Sequence, residues 1–125
     1  MIVPPVNPDG TYTRPDPGEP FGPAAQEWIY TYEPVTEFYS LVMSGVTRLP
    51  NGNTLICSTV GGWFFEVNSK KEVVWQYVNP VVEDEPQRQG SPPGANKVFR
   101  CSRYPADFPG FDGRNLIPSD PLEIP

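Results

Sequence analysis

The stretch that decides the fold runs from Ser44 to Pro80, "SGVTRLPNGNTLICSTVGGWFFEVNSKKEVVWQYVNP". Runs of apolar and β-branched residues, which favour strands, alternate there with short groups of glycine, asparagine, proline and lysine, which mark turns. The pattern predicts four strands, in chain order 40–49, 54–60, 63–67 and 72–78. Four strands of this length joined by short turns are typical of an antiparallel meander.

The segments between these strands have the chemistry that tight turns need. In "PNGN", Pro50 to Asn53, proline restricts φ and the Asn-Gly pair tolerates positive φ at little cost. Gly61-Gly62 and the polar group 68–71 supply the next two turns. No window of eleven residues keeps an apolar stripe at helical spacing free of proline and glycine. The sequence therefore predicts an all-β chain.

Proline is the compositional outlier, with 18 of 125 residues against a typical usage of about 5%. It is concentrated toward both ends, where it removes backbone donors and favours extended chain. The predicted organisation is a Pro-rich extended arm over 1–26, a β-blade module over 27–105 and a Pro-rich C-terminal tail over 106–125. We expect the arm to lie against a protein surface. A core of this size is marginal on its own, which favours partners.

Two segments repeat parts of the meander. "EWIYTY", Glu27 to Tyr32, alternates like "VVWQYV" and predicts a strand with its aromatic residues on one face. "CSRYP", residues 101–105, is similar to "VTRLP", residues 46–50, and predicts another strand. The chain is therefore predicted to hold the last strand of one blade, a whole blade and the first strand of a third. Four strands per repeat of about 45 residues are typical of β-propellers.

The segments "RLPNGNTLI", "FFEV" and "VVWQYVNP" together resemble the blades of aryl sulfotransferase-like β-propellers, a blade shared with quinoprotein-type propellers. The resemblance covers about residues 28–104. In that family a histidine tends to stand a few residues before "LPNGN" and carries the sulfuryl group during transfer. The matching region here is "SGVTR", with Ser44 or a neighbour at that place, and the chain has no histidine. The family's covalent route therefore cannot run in this chain alone, which also has material for only about two of the several blades that a propeller closes.

Charge and composition exclude several classes of function. The net charge of −6 and the absence of a basic face argue against nucleic-acid binding. No apolar run approaches the ~18 residues of a transmembrane segment, and the N-terminus does not look like a signal peptide. Without histidine, most metal sites, the Ser-His-Asp triad and the Cys-His pair are excluded. We predict no catalytic residue, no metal site and no cofactor.

The two cysteines, Cys57 and Cys101, fit no metal-binding spacing and are compatible with two buried free thiols or with one disulfide. The acidic run Glu83-Asp84-Glu85 offers oxygen ligands for calcium, but it lacks the glycine-punctuated alternation of a calcium loop. A solvated acidic loop is the better interpretation.

Arg48 and Arg103 occupy equivalent places in the two similar segments. Lining a propeller channel, and joined by Ser44, they would hold sulfate, phosphate or carboxylate through paired hydrogen bonds. The alternative is that both arginines pair with Glu66, Glu33 or backbone carbonyls at a blade junction.

Aromatic residues at period two are a second candidate set. They could stack against sugar rings, but such residues more often form the core between packed sheets or cover an assembly interface. The predicted assembly and core residues are Trp28, Tyr30, Trp63, Phe65, Trp75 and Tyr77.

One blade between two half-blades would leave unpaired strands and exposed sheet faces. The sequence therefore favours a non-catalytic structural protein, a propeller-derived β module that other copies of the chain complete as a ring or a filament. The alternatives are a fragment of an aryl sulfotransferase-like enzyme and a binding module for anionic ligands. The resemblance implies a secreted, extracellular or periplasmic location.

Overall fold

A computed structural model of the protein describes residues 1–92 and 94–125. The chain divides into two compact units, Met1–Glu33 and Pro34–Pro125. The first unit contains an isolated antiparallel bridge between Val6 and Tyr12, which closes a turn around Asp9. Hydrogen bonds from Thr11 hold the pKa of the Asp9 carboxyl below its usual value.

The second unit is built on one four-stranded antiparallel sheet. Its strands are β1 (Gly45–Arg48), β2 (Thr54–Ser58), β3 (Trp63–Val67) and β4 (Val73–Val78), hydrogen-bonded in the order β1-β2-β3-β4. A two-stranded ribbon follows, β5 (Val81–Val82) with β6 (Glu85–Pro86). Single 3₁₀ turns lie at Val35–Glu37 and Pro109–Phe111, and the described residues contain no α-helix. The all-β class and the four-stranded antiparallel meander are confirmed, and the sheet is open.

The first and third turns of the meander form as the sequence predicts. In the first, the amide of Leu49 donates to the carbonyl oxygen of Asn53 at 2.8 Å, and Gly52 takes the left-handed φ of +85°. In the third, the side-chain oxygen of Asn68 accepts hydrogen bonds from the amides of Lys70 and Glu72 at 2.9 and 3.0 Å. This local bonding fixes the register between β3 and β4.

Strands β1 and β2 are shorter than predicted, because the backbone turns at their outer ends. Met43 and Ser44 have φ values of +61° and +77°, which interrupt the strand predicted from residue 40. The amide of Ser44 donates to the side-chain oxygen of Thr59 at 2.7 Å, and Thr59 and Val60 belong to the next turn.

The core lies at the centre of the sheet. All five residues of β2 and the last three of β3 are buried, whereas β1 and β4 are mostly exposed. Phe65 has no solvent-exposed surface; the ring of Trp63 stacks on it at 4.3 Å and the edge of Phe38 meets it at 5.2 Å. Burial of these side chains from both strands is the main stabilising contribution that the sheet can make.

The two flanking strands predicted at 27–32 and 101–105 do not form in the described chain. The period-two pattern is still visible in burial, because Trp28, Tyr30 and Tyr32 are half-buried. The rings of Trp28 and Tyr30 stack with their centroids 6.1 Å apart. The backbone there is held instead by residue 1, because the amide of Glu27 donates to the Met1 carbonyl at 3.1 Å. Residues 101–105 form no hydrogen-bonded strand pair; they are held by the ion pair between Arg103 and Glu66. The proline-rich arm and tail stay predictions.

Candidate functional site

The candidate site is the pair of outer edges of the sheet. Within residues 1–92 and 94–125, no strand pairs with the outer side of β1 or of β4. An open edge presents backbone donors and acceptors that an added strand can satisfy. Because this small sheet has two such edges, the addition of a further strand is the first type of binding to consider.

The β4 edge is the longer and the more apolar of the two. Its sequence, "VVWQYV", has no charged residue, and every position from Val73 to Tyr77 is exposed. Val74 is 51% exposed and Trp75 is 42% exposed. The register with β3 shifts between Glu66 and Val67, which leaves Val74 as the extra residue of a bulge. Beyond this bulge the strand is regular and free to pair.

A row of aromatic rings crosses one face of the sheet and ends at this edge. Phe64 on β3 is the direct partner of Tyr77 on β4, and their rings stack at 6.1 Å. Tyr77 in turn stacks against Trp75 at 6.4 Å along the strand. Partial burial, and then the charge of Glu123, raise the pKa of the Tyr77 hydroxyl above its usual value. An added strand would continue the row, since aromatic cross-strand pairs stabilise sheets.

The β1 edge differs in chemistry. It has only four residues and ends in a charge, Arg48, whose guanidinium donates to the carbonyl oxygen of Gly52 at 2.9 Å. Its apolar residue Val46 is 64% exposed. A short strand that ends in a cation is one of the ways in which proteins discourage edge pairing. The two edges are therefore unequal, and β4 is the stronger template.

Behind the β4 edge lies a buried carboxylate, Glu66, which the sequence offered only as one of several possible partners of the arginines. Glu66 on β3 is 3% exposed, and it accepts hydrogen bonds from the side-chain amides of Asn53 at 2.6 Å and Asn51 at 3.3 Å. The guanidinium of Arg103, half-exposed, forms an ion pair with its other oxygen. The same guanidinium lies over the ring of Trp75, 5.6 Å from the centroid.

The three residues predicted to bind an anion each have a different partner. Arg103 pairs with Glu66, Arg48 donates to a backbone carbonyl, and the backbone amide of Ser44 donates to Thr59. For both arginines, this is the alternative that the sequence analysis set beside anion binding. Anion binding at these residues stays a prediction.

The aromatic residues predicted as core or assembly residues divide into three groups. Phe65 and Trp63 belong to the centre of the sheet, Trp75 and Tyr77 to its edge, and Trp28 and Tyr30 to the first unit. No pattern in the sequence pointed to Phe38, a half-buried residue whose ring edge meets Phe65. For Glu66 the signal was present, because a carboxylate within "WFFEV" needs buried partners.

Two clefts lie on the second unit. The larger, about 790 Å³, places Trp63 beside the side-chain amides of Gln76 and Gln87, with the carboxylates of Glu37 and Glu123 and the guanidinium of Arg88. Its charged lining is net negative, which does not favour an anion. The smaller, about 550 Å³, contains Arg100 and Arg103, but the carboxylate of Glu66 offsets the second of these charges.

Both cysteines are free thiols; Cys57 is buried, as the first of the two predicted states requires, but Cys101 is only half-buried. No group of three or more metal-ligating side chains occurs among the described residues. In that part of the chain no helix has the length and apolar character needed to cross a bilayer.

No family model matches the chain, and searches of curated proteins and of solved structures found no significant match.

Proposed function

We propose that the protein is a non-catalytic structural module that assembles with other copies of itself through the open edges of its sheet. The observation that carries this proposal is the uncharged, exposed β4 edge, Val73–Val78. A six-residue segment rich in β-branched and aromatic residues, without charge or proline, is the type of sequence that pairs with another strand. Pairing would satisfy its outer backbone groups and cover Trp75 and Tyr77.

Exposed apolar side chains on the sheet support the need for a partner. Val46 on β1 is 64% exposed, and Val74 and Trp75 on β4 are 51% and 42% exposed. Covering such residues contributes to a stable protein–protein interface, which buries about 1,200–2,000 Å² in total.

The finer form of the proposal follows from the resemblance to propeller blades. A four-stranded antiparallel meander is the unit that such propellers repeat. Copies that join β4 of one chain to β1 of the next would form a ring if the rotation closes, and a filament if it does not. Such an assembly fits a secreted, extracellular or periplasmic protein, as the resemblance implies.

The test is the mass of the pure chain by light scattering and sedimentation over a dilution series from high to low micromolar concentration. We expect a multiple of 13.9 kDa that persists at the lower concentrations. A monomer of 13.9 kDa throughout the series, with a cooperative unfolding transition, would overturn the proposal.

A matched pair of substitutions identifies the edge. Val74→Lys places a charge on the β4 bulge, where the side chain is exposed and has no residue of β3 opposite. Because a lysine on an edge strand discourages the addition of another strand, the assembly should dissociate. Val46→Lys places the same charge on β1. Dissociation by both variants indicates β4–β1 pairing, and dissociation by Val74→Lys alone indicates β4–β4 pairing. An unchanged mass for Val74→Lys would exclude the β4 edge.

The two alternatives have their own outcomes. A fragment of a sulfotransferase-like enzyme should give a monomer that aggregates without a defined mass, and turnover of an aryl sulfate would replace the structural proposal. A binding module for anions should show saturable sulfate or phosphate binding that Arg103→Gln abolishes without changing the mass of the particle.

A further inference from the structure

The two cysteines lie 44 positions apart in the sequence, yet the fold brings them to one place. Cys57 is on β2, on the same face of the sheet as Phe64, its partner on β3. The thiol of Cys57 donates to the carbonyl oxygen of Val98 at 3.9 Å. The amide of Val98 in turn donates to the carbonyl oxygen of Thr59 at 3.1 Å. The segment that leads to Cys101 is therefore attached beside the end of β2.

The other side of Cys101 is anchored to the same face. Two residues further along the chain, Arg103 forms its ion pair with Glu66, which is the register partner of Leu55 on β2. The segment 98–103 thus begins next to Cys57 and ends next to Leu55, and Cys101 lies between these two anchors. Leu55, Val98 and Cys101 line one cleft. Cys57 is thus the residue of β2 that faces the segment carrying Cys101.

The environment of Cys101 favours the protonated thiol. Burial, followed by the neighbouring Cys57, raises the pKa of the Cys101 thiol to about 12. A thiol of this kind is a slow nucleophile at neutral pH, which argues against a catalytic redox centre. The placement of Cys101 beside Cys57 therefore needs an explanation other than catalysis.

We propose that Cys57 and Cys101 are an oxidation site, where a low-molecular-weight disulfide converts the two thiols into an intrachain bridge that fixes the segment 98–103 on the sheet. In the first step the Cys101 thiol loses its proton and its sulfur attacks the small disulfide, which releases one small thiol and leaves a mixed disulfide. In the second step the Cys57 thiol loses its proton, and its sulfur attacks the Cys101 sulfur of the mixed disulfide. The other small thiolate leaves and takes up a proton. Two protein thiols are oxidised, and one small disulfide is reduced to two thiols.

The bridge would close a loop of roughly 45 residues, and a loop of this length predicts a rise in the melting temperature on the order of 10 °C. The site does not depend on the proposed assembly, because both sulfur atoms belong to one chain. An oxidising compartment would favour the bridged form, and a reducing one the two thiols.

The experiment exposes the folded, full-length chain to oxidised glutathione at mildly alkaline pH. Remaining thiols are then alkylated, and the digest is mapped by mass spectrometry without reduction. We expect one crosslink between the peptides that contain Cys57 and Cys101, with the mass lowered by two hydrogen atoms and the particle mass unchanged. The oxidised protein should melt on the order of 10 °C higher than the reduced one.

A control variant moves one thiol by a single position: it combines Cys101→Ser with Ser102→Cys. Position 102 is exposed. This variant should give the mixed disulfide with glutathione and no crosslink. If the wild-type chain yields only mixed disulfides, bridges between chains, or two alkylated cysteines, the thiols are not apposed and the proposal is wrong. Equal crosslinking in the control would also overturn it.

Discussion

The centre and the edge of the sheet are made of the same residue types and have opposite environments. On β3, Phe65 is fully buried between Trp63 and Phe38, whereas on β4 Trp75 is 42% exposed. Both strands are rich in aromatic and β-branched residues. The difference comes from position: β3 has a neighbour on each side, and β4 has one. Composition predicts a strand, but the number of neighbouring strands decides whether its side chains are buried or exposed.

The polar groups follow the same division. The buried carboxylate of Glu66 lies on the central strand β3, where it accepts hydrogen bonds from two side-chain amides and pairs with a guanidinium. The edge strand carries no charged side chain. A buried charge needs fixed partners, which the centre can provide. The edge leaves its backbone groups available. The buried side chains of β2 and β3 therefore account for stability, and β4 is the strand through which we propose association.

The largest expected effect comes from truncating one ring in each region. Phe65→Ala should lower the free energy of unfolding by about 3–5 kcal/mol, because it removes a fully buried ring and leaves a cavity. Trp75→Ala should cost only about 1–2 kcal/mol, since much of its surface already meets solvent. Chemical denaturation, in conditions where both variants are monomeric, measures the difference. Equal losses would remove the distinction between centre and edge.

A smaller effect is expected at the carboxylate. Glu66→Gln keeps the shape of the side chain but removes the charge that pairs with Arg103, and it should cost about 1–3 kcal/mol. Arg103→Gln should cost less, because Glu66 keeps its two asparagine donors. Denaturation at low and high salt gives both values. A loss for Arg103→Gln as large as that for Glu66→Gln would mean that the asparagines do not stabilise the charge.

Local sequence predicted the parts of this fold that depend on neighbours in the chain. The bounds of β3 match the prediction, β4 differs by one residue, and the "PNGN" turn forms as expected. Each of these depends on side-chain alternation or on the φ preference of a few consecutive residues. These are properties that a single sequence displays directly.

Contacts between distant residues were not predictable in the same way. Alternation at 27–32 indicated which side chains would be half-buried, but a strand also needs a hydrogen-bonded partner, and none pairs with it in the described chain. The Arg103–Glu66 pair joins residues 37 positions apart. Sequence spacing therefore could not single out Glu66 among the possible partners of Arg103. The candidate edge itself became visible only with the strand order, because "VVWQYV" is compatible with a central strand as well as an edge strand.

The last expected effect is absent at neutral pH and appears only at alkaline pH, where two groups titrate: Cys101 beside the sheet and Tyr77 on its edge. The pKa of Cys101 is raised from about 9 to about 12, and that of Tyr77 is also raised, so the folded state holds protons that the unfolded state loses. Stability should therefore be constant from pH 7 to about 9 and fall as the pH rises toward ~12. Cys101→Ser should remove the onset near pH 9, whereas Tyr77→Phe should affect only the part that begins near pH ~10. Unfolding midpoints measured from pH 7 to 11 give the profile. A flat profile in the reduced wild-type chain would show that Cys101 is as accessible to solvent when folded as when unfolded, and would place its segment away from the sheet.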